Sequence, residues 1–383
     1  MRRKLLVALL MLLVLAVTVA TLVLSRAPQR PPPLEGPWVL GYYVGYLKDD
    51  YPVQDVDWEA LTHVVVGAAL PRPDGTLDTS FFLDDTAGPA WAREVVAEAH
   101  DHGRRAVLML GGENSAAAFA AAASGPNRDR FVEQIVAVAD DYGFDGVDLD
   151  WEPMQAQHGP DVLALVRQLR AQRPDLELSV PLGPVNVNDP GRTVLPFTVE
   201  LAGLVDRVNV MTYGMNGGWT NWRSWHSSAL SGHDASTPMS VAGSVDAYLA
   251  AGVPAARLGL GIGFFGSCMS GVTGPGQSSA RMQTLHADSD LLYAQIMTDY
   301  YRPDVARWDT AAQVPYLSSA TPLGPLGCTY VTYEDERSIA AKARFARDRG
   351  LGGAIIWNIN GGYLPHAERR DPLMEAVRAG LRP

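Results

Sequence analysis

The sequence predicts a (β/α)8 TIM barrel, and three observations lead there. Short apolar runs alternate with helix-patterned segments from Trp38 onward, eight such runs fit in roughly 345 residues, and no early run is followed by a Gly-rich phosphate-binding turn. Alternation of this kind implies parallel strands covered by helices. Eight strands at this length fit a closed barrel better than an open doubly wound sheet. The runs in order are WVLGYYVG, HVVVGAAL, RAVLML, GVDLDWE, LELSVPL, RVNVMTY, RLGLGIGFF and GAIIWNI. The helical segments between them include PAWAREVVAEAHDHG, RFVEQIVAVADDYG, PDVLALVRQLRAQRP, SVDAYLAAGVP and ERSIAAKARFARDRG, several ending in Gly or Pro where a helix should stop. The glycines of GLGIGFFG fall inside a late strand and read as close packing. Residues 267–329, between the seventh strand and its helix, are the one long irregular stretch and read as a small insertion at the barrel mouth. The barrel domain as a whole covers residues 37–383.

Ahead of the barrel, MRRK is followed by an uninterrupted apolar run from Leu5 to Leu24. As a helix such a run spans about 30 Å, the thickness of a bilayer core. Arg2, Arg3 and Lys4 hold that end in the cytoplasm, so the remainder is expected to be exported. Residues 1–27 are therefore a signal anchor or a signal peptide. An uncleaved anchor facing outside is favoured, and a cut after Ala20, giving a secreted protein, is the alternative. Residues 28–36 form a proline-rich, semi-extended linker. Export permits disulfides, and Cys268 and Cys328 are the two cysteines available. A bond between them is expected, although two buried thiols would give the same sequence.

The formal net charge of −11 argues against nucleic acid as a partner, because phosphate binding needs a basic surface. The informative stretch is FDGVDLDWEP. Alternate residues of a strand share a face and lie about 6.6 Å apart, so Asp148, Asp150 and Glu152 form an inward ladder. It climbs toward the C-terminal end of the fourth strand, where barrel enzymes keep their chemistry. Asp145 falls on the other face and reads as structural. A solvated lumen or a metal site would also use acids, but a metal wants histidines or further carboxylates at other strand ends. Those ends carry tyrosine, methionine, tryptophan and asparagine, so neither metal nor cofactor is expected. Closely spaced buried carboxylates cannot all ionise, which leaves an acid available for a leaving group. Glycoside hydrolysis suits such an acid. The usual pair of carboxylates flanks the sugar from opposite sides, however, whereas Asp150 and Glu152 project from one strand, so the nucleophile could come from the substrate.

DGVDLDWE resembles the DxxDxDxE signature of glycoside hydrolase family 18, the chitinases and related endo-N-acetylglucosaminidases. Similarity continues through GYY at Tyr42, DVDWEALTHVVVG, VMTY at Tyr213, YEDERSIAAKARFARDRGLGG and IIW at Trp357. The resemblance implies that Glu152 is the general acid. Asp150 would orient the 2-acetamido group that attacks the anomeric carbon, and Asp148 would share a proton with Asp150. Tyr213 would hydrogen-bond the acetamido carbonyl. Trp357 would floor the −1 sugar, Tyr42 would support the ladder, and Met211 would join the substrate-binding set. Two positions depart from the pattern: SxGG reads MLGG, with Met109 for serine, and MxYD reads MTYG, with Gly214 for aspartate. Asn216 is placed to supply a polar group in compensation. Trp219, Trp222 and Trp225 follow the sixth strand as sugar platforms or as loop packing, Trp219 being the preferred platform. His226 and His233 read as ordinary loop residues.

The expected function is cleavage of β-1,4 bonds at N-acetylglucosamine in chitin or chito-oligosaccharides by a substrate-assisted retaining mechanism. An endo-N-acetylglucosaminidase acting on glycoprotein or cell-wall glycans is the nearest alternative. A non-catalytic N-acetylglucosamine-binding lectin is the rival of another class. The expected partner is a polysaccharide or oligosaccharide containing N-acetylglucosamine, with the membrane as a second if the N-terminal helix stays.

Overall fold

The computed structural model describes residues 36–186, 188–189, 193–216 and 222–382. The anchor or signal, most of the proline-rich linker and Trp219 lie outside them. Among the described residues no helix is long and apolar enough to cross a membrane.

All eight apolar runs form parallel strands. They are β1 (Trp38–Val44), β2 (His63–Pro71), β4 (Arg105–Gly112), β5 (Gly146–Trp151), β6 (Glu177–Leu182), β7 (Arg207–Val210), β8 (Leu258–Gly263) and β14 (Gly353–Trp357). The two-residue β3 (Leu77–Asp78) adds antiparallel to the end of β2. Each barrel strand pairs with the next, and β1 pairs with both β14 and β2, which closes the ring. Val147, Leu149 and Trp151 of β5 point outward into the main core beneath the helices, where Trp151 stacks on Phe119 with ring centroids 5.0 Å apart. The lumen has its own apolar layer, made by Leu40, Tyr42, Val65, Ala68, Val107, Met109 and Ile355.

The helices follow their sequence signals. Helix α1 (Ala87–Asp101) buries Trp91, Ala92, Val95, Val96 and Ala99, the stripe that its 3.6-residue period dictates. Helices α2 (Ala116–Ala123) and α3 (Gly125–Tyr142) follow β4, and α3 ends at Gly143 in the left-handed region. Next come α4 (Gly159–Gln172), α5 (Thr198–Leu204) and α6 (Val241–Ala251), the last capped by the Ser240 side chain accepting from Gly243 N–H. Helix α7 (Glu336–Asp348) starts with a capping box between Asp335 and Ser338, and α8 (Pro372–Leu381) covers the end of the chain.

The stretch read as irregular is regular. From Phe265 to Thr332 the chain builds a five-stranded antiparallel sheet of β9 (Phe265–Ser270), β10 (Gln283–Leu292), β11 (Ala306–Asp309), β12 (Val314–Leu323) and β13 (Cys328–Thr332), in the order β10-β9-β13-β12-β11. It stands where the insertion was expected, between the seventh barrel strand and its helix, with bounds slightly wider than 267–329. Cys268 and Cys328 are bonded across β9 and β13, with Cα atoms 5.4 Å apart and a sequence separation of 60. Closing a loop of that length is worth about 4 kcal/mol in the chain-entropy account. The double Cys268→Ser, Cys328→Ser variant should therefore lose stability on that scale in denaturant unfolding. A midpoint equal to wild type would show that the sheet holds without its staple.

Candidate active site

The ladder stands as its parity requires. In the parallel register, Met109 is level with Asp148 and Gly111 with Asp150 on one side of β5, and Ser179 is level with Asp148 on the other. Asp148 lies at the bottom, fully buried, and both its oxygens are satisfied. The Tyr42 hydroxyl donates to Oδ2 at 2.6 Å and the Ser179 hydroxyl donates to Oδ1. Burial pushes its pKa up to about 6, with the two hydroxyl donors and Arg207 pulling the other way. Asp145 is outside the ladder. It accepts from Ala106 N–H at 2.9 Å and contacts His100 Nε2 at 2.8 Å, a structural tie.

Asp150 is buried and Glu152 partly so. Their carboxyls lie two residues apart on one face of the strand and are coupled, so the pair resists double ionisation. Burial raises both pKa values, and for Asp150 the charges of Glu152 and Asp148 add to the rise. Asp150 Oδ1 is buried and meets no hydrogen-bond partner among the described residues. A buried acceptor left unmatched costs free energy unless a ligand donates to it. Tyr213 is held neutral by burial and by the three carboxylates, so its phenol stays a donor. Its ring meets Phe265 edge-on at 5.5 Å.

Above the ladder opens a cavity of about 410 Å³, within the range of small-ligand sites. Asp150 and Glu152 line it, together with Tyr42, Met211, Tyr213, Gly214 and Trp357. Tyr42 and Trp357 are edge to face at 5.4 Å, so the phenol that holds Asp148 also props the indole. A proton donor, an orphaned acceptor, a neutral phenol and an aromatic floor around one cavity can bind and protonate a sugar. Among the described residues no cluster of His, Cys, Asp and Glu is arranged to hold a metal.

The family described as Glycosyl hydrolases family 18 matches this chain over residues 39–362. The chain belongs to that family. It is 25% identical to a chitinase-like effector of Moniliophthora roreri, over 88% of this chain and 91% of that protein. It is 26% identical to Chitinase A1 of Niallia circulans over 81% of its length, but spans only 49% of that larger protein. Its fold is similar to the crystal structure of the Ostrinia furnacalis Group IV chitinase, with a TM-score of 0.77 and 21% identity, covering 91% of this chain and 100% of that one.

Several residues beyond the sixth strand fall outside the cavity lining of this family 18 site. Asn216 does not join the cavity wall. It is buried, and its amide donates to the Met269 sulfur of the inserted sheet at 3.8 Å. Trp225 is loop packing, its indole N–H donating to the Met239 carbonyl at 2.8 Å, while Trp222 is half-buried and also away from the cavity lining. His226 is buried within its loop, contacting Asp309 at 3.0 Å and the Tyr330 hydroxyl at 3.0 Å. His233 bonds Ser240 at 2.8 Å. Sequence reasoning missed Glu113, Pro181, Gly183, Pro184 and Phe265, all of which line the cavity. Glu113 and Gly183 each follow the C-terminal end of a barrel strand, a position that could have marked them.

Both departures have local causes. Met109 fills the lumen beside Tyr42, and a Cβ on Gly67 would lie 2.7 Å from its sulfur, so the methionine depends on that glycine. Since Tyr42 and Ser179 already satisfy Asp148, a serine at position 109 is not required. Gly214 has φ +67°, the left-handed region that favours glycine. An aspartate there would place a charge near Glu152 and raise its pKa, moving the alkaline limb of kcat upward. It would also strain the turn by about 1 kcal/mol. Gly214→Asp should thus show both a lower melting temperature and an alkaline shift. A stable variant with an unmoved limb would show that position 214 does not sense the acid.

Proposed function

We propose that this family 18 chain hydrolyses β-1,4 bonds next to N-acetylglucosamine, in chitin or chito-oligosaccharides, by substrate-assisted catalysis with retention. The carrying observation is the Asp150–Glu152 pair opening on the cavity, with Asp150 Oδ1 buried and unmatched among the described residues. Glu152 gives its proton to the glycosidic oxygen as the bond from that oxygen to the anomeric carbon breaks. The acetamido carbonyl oxygen of the −1 sugar bonds to the same carbon from the opposite face, giving a cyclic oxazolinium ion. Asp150 accepts the acetamido N–H and carries the countercharge, and the Tyr213 phenol donates to the carbonyl oxygen. Water then adds to the anomeric carbon as its bond to the acetamido oxygen breaks, reopening the ring, and gives its proton to Glu152, restoring the acid. Trp357 supports the sugar face.

Two inversions at one carbon leave the β configuration in place. Proton NMR of fresh product from chitin oligomers should show the β anomer first; initial α product would remove this mechanism. The same assay on peptidoglycan and on a high-mannose glycopeptide separates chitin cleavage from cleavage of other glycans. Binding without a cut in any of the three would favour the lectin reading.

A further inference from the structure

We propose that Glu113 determines specificity by selecting, on the leaving-group side of the scissile bond, a sugar that carries a protonated amine, so that partly deacetylated chitin is the preferred substrate class. The role presupposes the hydrolytic reading above and extends it to a sugar that does not itself react. Strands β4 and β5 end level with each other, Gly112 opposite Trp151. Glu113 and Glu152 are the next residues on these adjacent strands, whose spacing is about 4.8 Å. Both line the cavity. Glu113 is solvent-exposed and has no hydrogen bond or ion pair among the described residues. Among the described residues, no lysine, arginine or histidine lines the cavity to neutralise it. Its negative charge is felt by Glu152, whose proton it helps to retain.

The cation that answers Glu113 in this proposal arrives with the substrate. In a polymer of N-acetylglucosamine, the cation available is the ammonium left where an acetyl group has been lost. That ammonium cannot sit on the −1 sugar, because the acetamido group there supplies the nucleophile. Tyr213 extends from β7 and Glu113 from β4, on opposite sides of β5 in the ring. The acetamido group lies toward Tyr213 and Asp150, while Glu152 faces the leaving oxygen, so Glu113 flanks the leaving sugar.

The test compares the full chain with its Glu113→Gln and Glu113→Lys variants. Substrates are fully acetylated and partly deacetylated chitin oligomers of equal length, and products are sequenced by mass spectrometry. Wild-type products should carry an acetylated sugar at the new reducing end and be enriched in glucosamine at the new non-reducing end. Glu113→Gln should abolish that enrichment and lower the kcat/KM ratio of partly over fully acetylated substrate by roughly two- to fivefold, the scale of one exposed ion pair. Most of that change should lie in KM, and added salt should mimic it. Glu113→Lys should invert the preference. Glu113→Gln also alters the charge near Glu152, but that acts on both substrates alike, so the ratio isolates recognition. An unchanged ratio and unchanged end composition, with the wild type cutting both substrates, overturns the role of Glu113 alone. If the wild type cuts neither, the hydrolytic reading falls and takes this role with it.

Discussion

Glu152→Gln should lower kcat by at least about 100-fold on any oligosaccharide that the wild type cuts, the scale of general-acid catalysis. Glutamine keeps the shape and one acceptor but has no acidic proton for the leaving oxygen. The side chain is half-buried at the top of the ladder, so the substitution removes little packing, and oligosaccharide binding by calorimetry should persist. The pH dependence has a definite sign. Burial raises the Glu152 pKa, with the charges of Glu113 and Asp148 assisting, and the rate requires the protonated form. Wild-type kcat should therefore hold on the acid side of that raised value and fall as pH rises through it. The residual rate of the glutamine variant should lack this alkaline limb. Wild-type turnover in a variant with a native circular dichroism spectrum would remove Glu152 from the role.

Much of this was legible because two periodicities are strict. Period-two alternation in GVDLDWE places Val147, Leu149 and Trp151 outward and the three acids inward, and no tertiary accident can reverse that without moving a whole strand. The eight barrel strands are apolar runs bounded by helices, so their existence and order followed directly. The inserted sheet was opaque for the opposite reason. VPYLSSATPL of β12 mixes small polar residues with two prolines, and its pairing with β13 is interrupted by a register shift between Ser318 and Leu323. Antiparallel strands with one wet face and bulged register leave no sustained pattern. Asn216 was misplaced because three residues beyond Tyr213 the chain has left the strand, and sequence distance stops reporting direction. The ion pair between Lys342 on α7 and Glu334 just before it is fully buried. It was likewise unreadable, since a lysine in a helical pattern is ordinarily a solvated one.

Asp150→Asn should cost between about 100- and 1,000-fold in kcat, the scale of removing one preorganised electrostatic contact from a transition state. Asparagine fills the same volume but cannot carry the charge that balances an oxazolinium ion. The loss should therefore appear in kcat more than in KM. Stability should move the other way. The Asp150 pKa is raised well above its ordinary value by burial and by the neighbouring carboxylates. A carboxyl whose folded pKa exceeds its unfolded one adds stability that is complete below the unfolded pKa and lost as pH rises through the folded one. Asparagine never ionises and so does not suffer that loss. Melting temperatures measured across pH should show the variant gaining on the wild type as the solution becomes more alkaline, while its activity stays low at every pH. That combination, a disabled enzyme that tolerates base better, is the expected mark of a charge kept in a buried site for chemistry at the expense of stability. A variant that loses activity and stability together at all pH values would instead make Asp150 a structural member of the lumen.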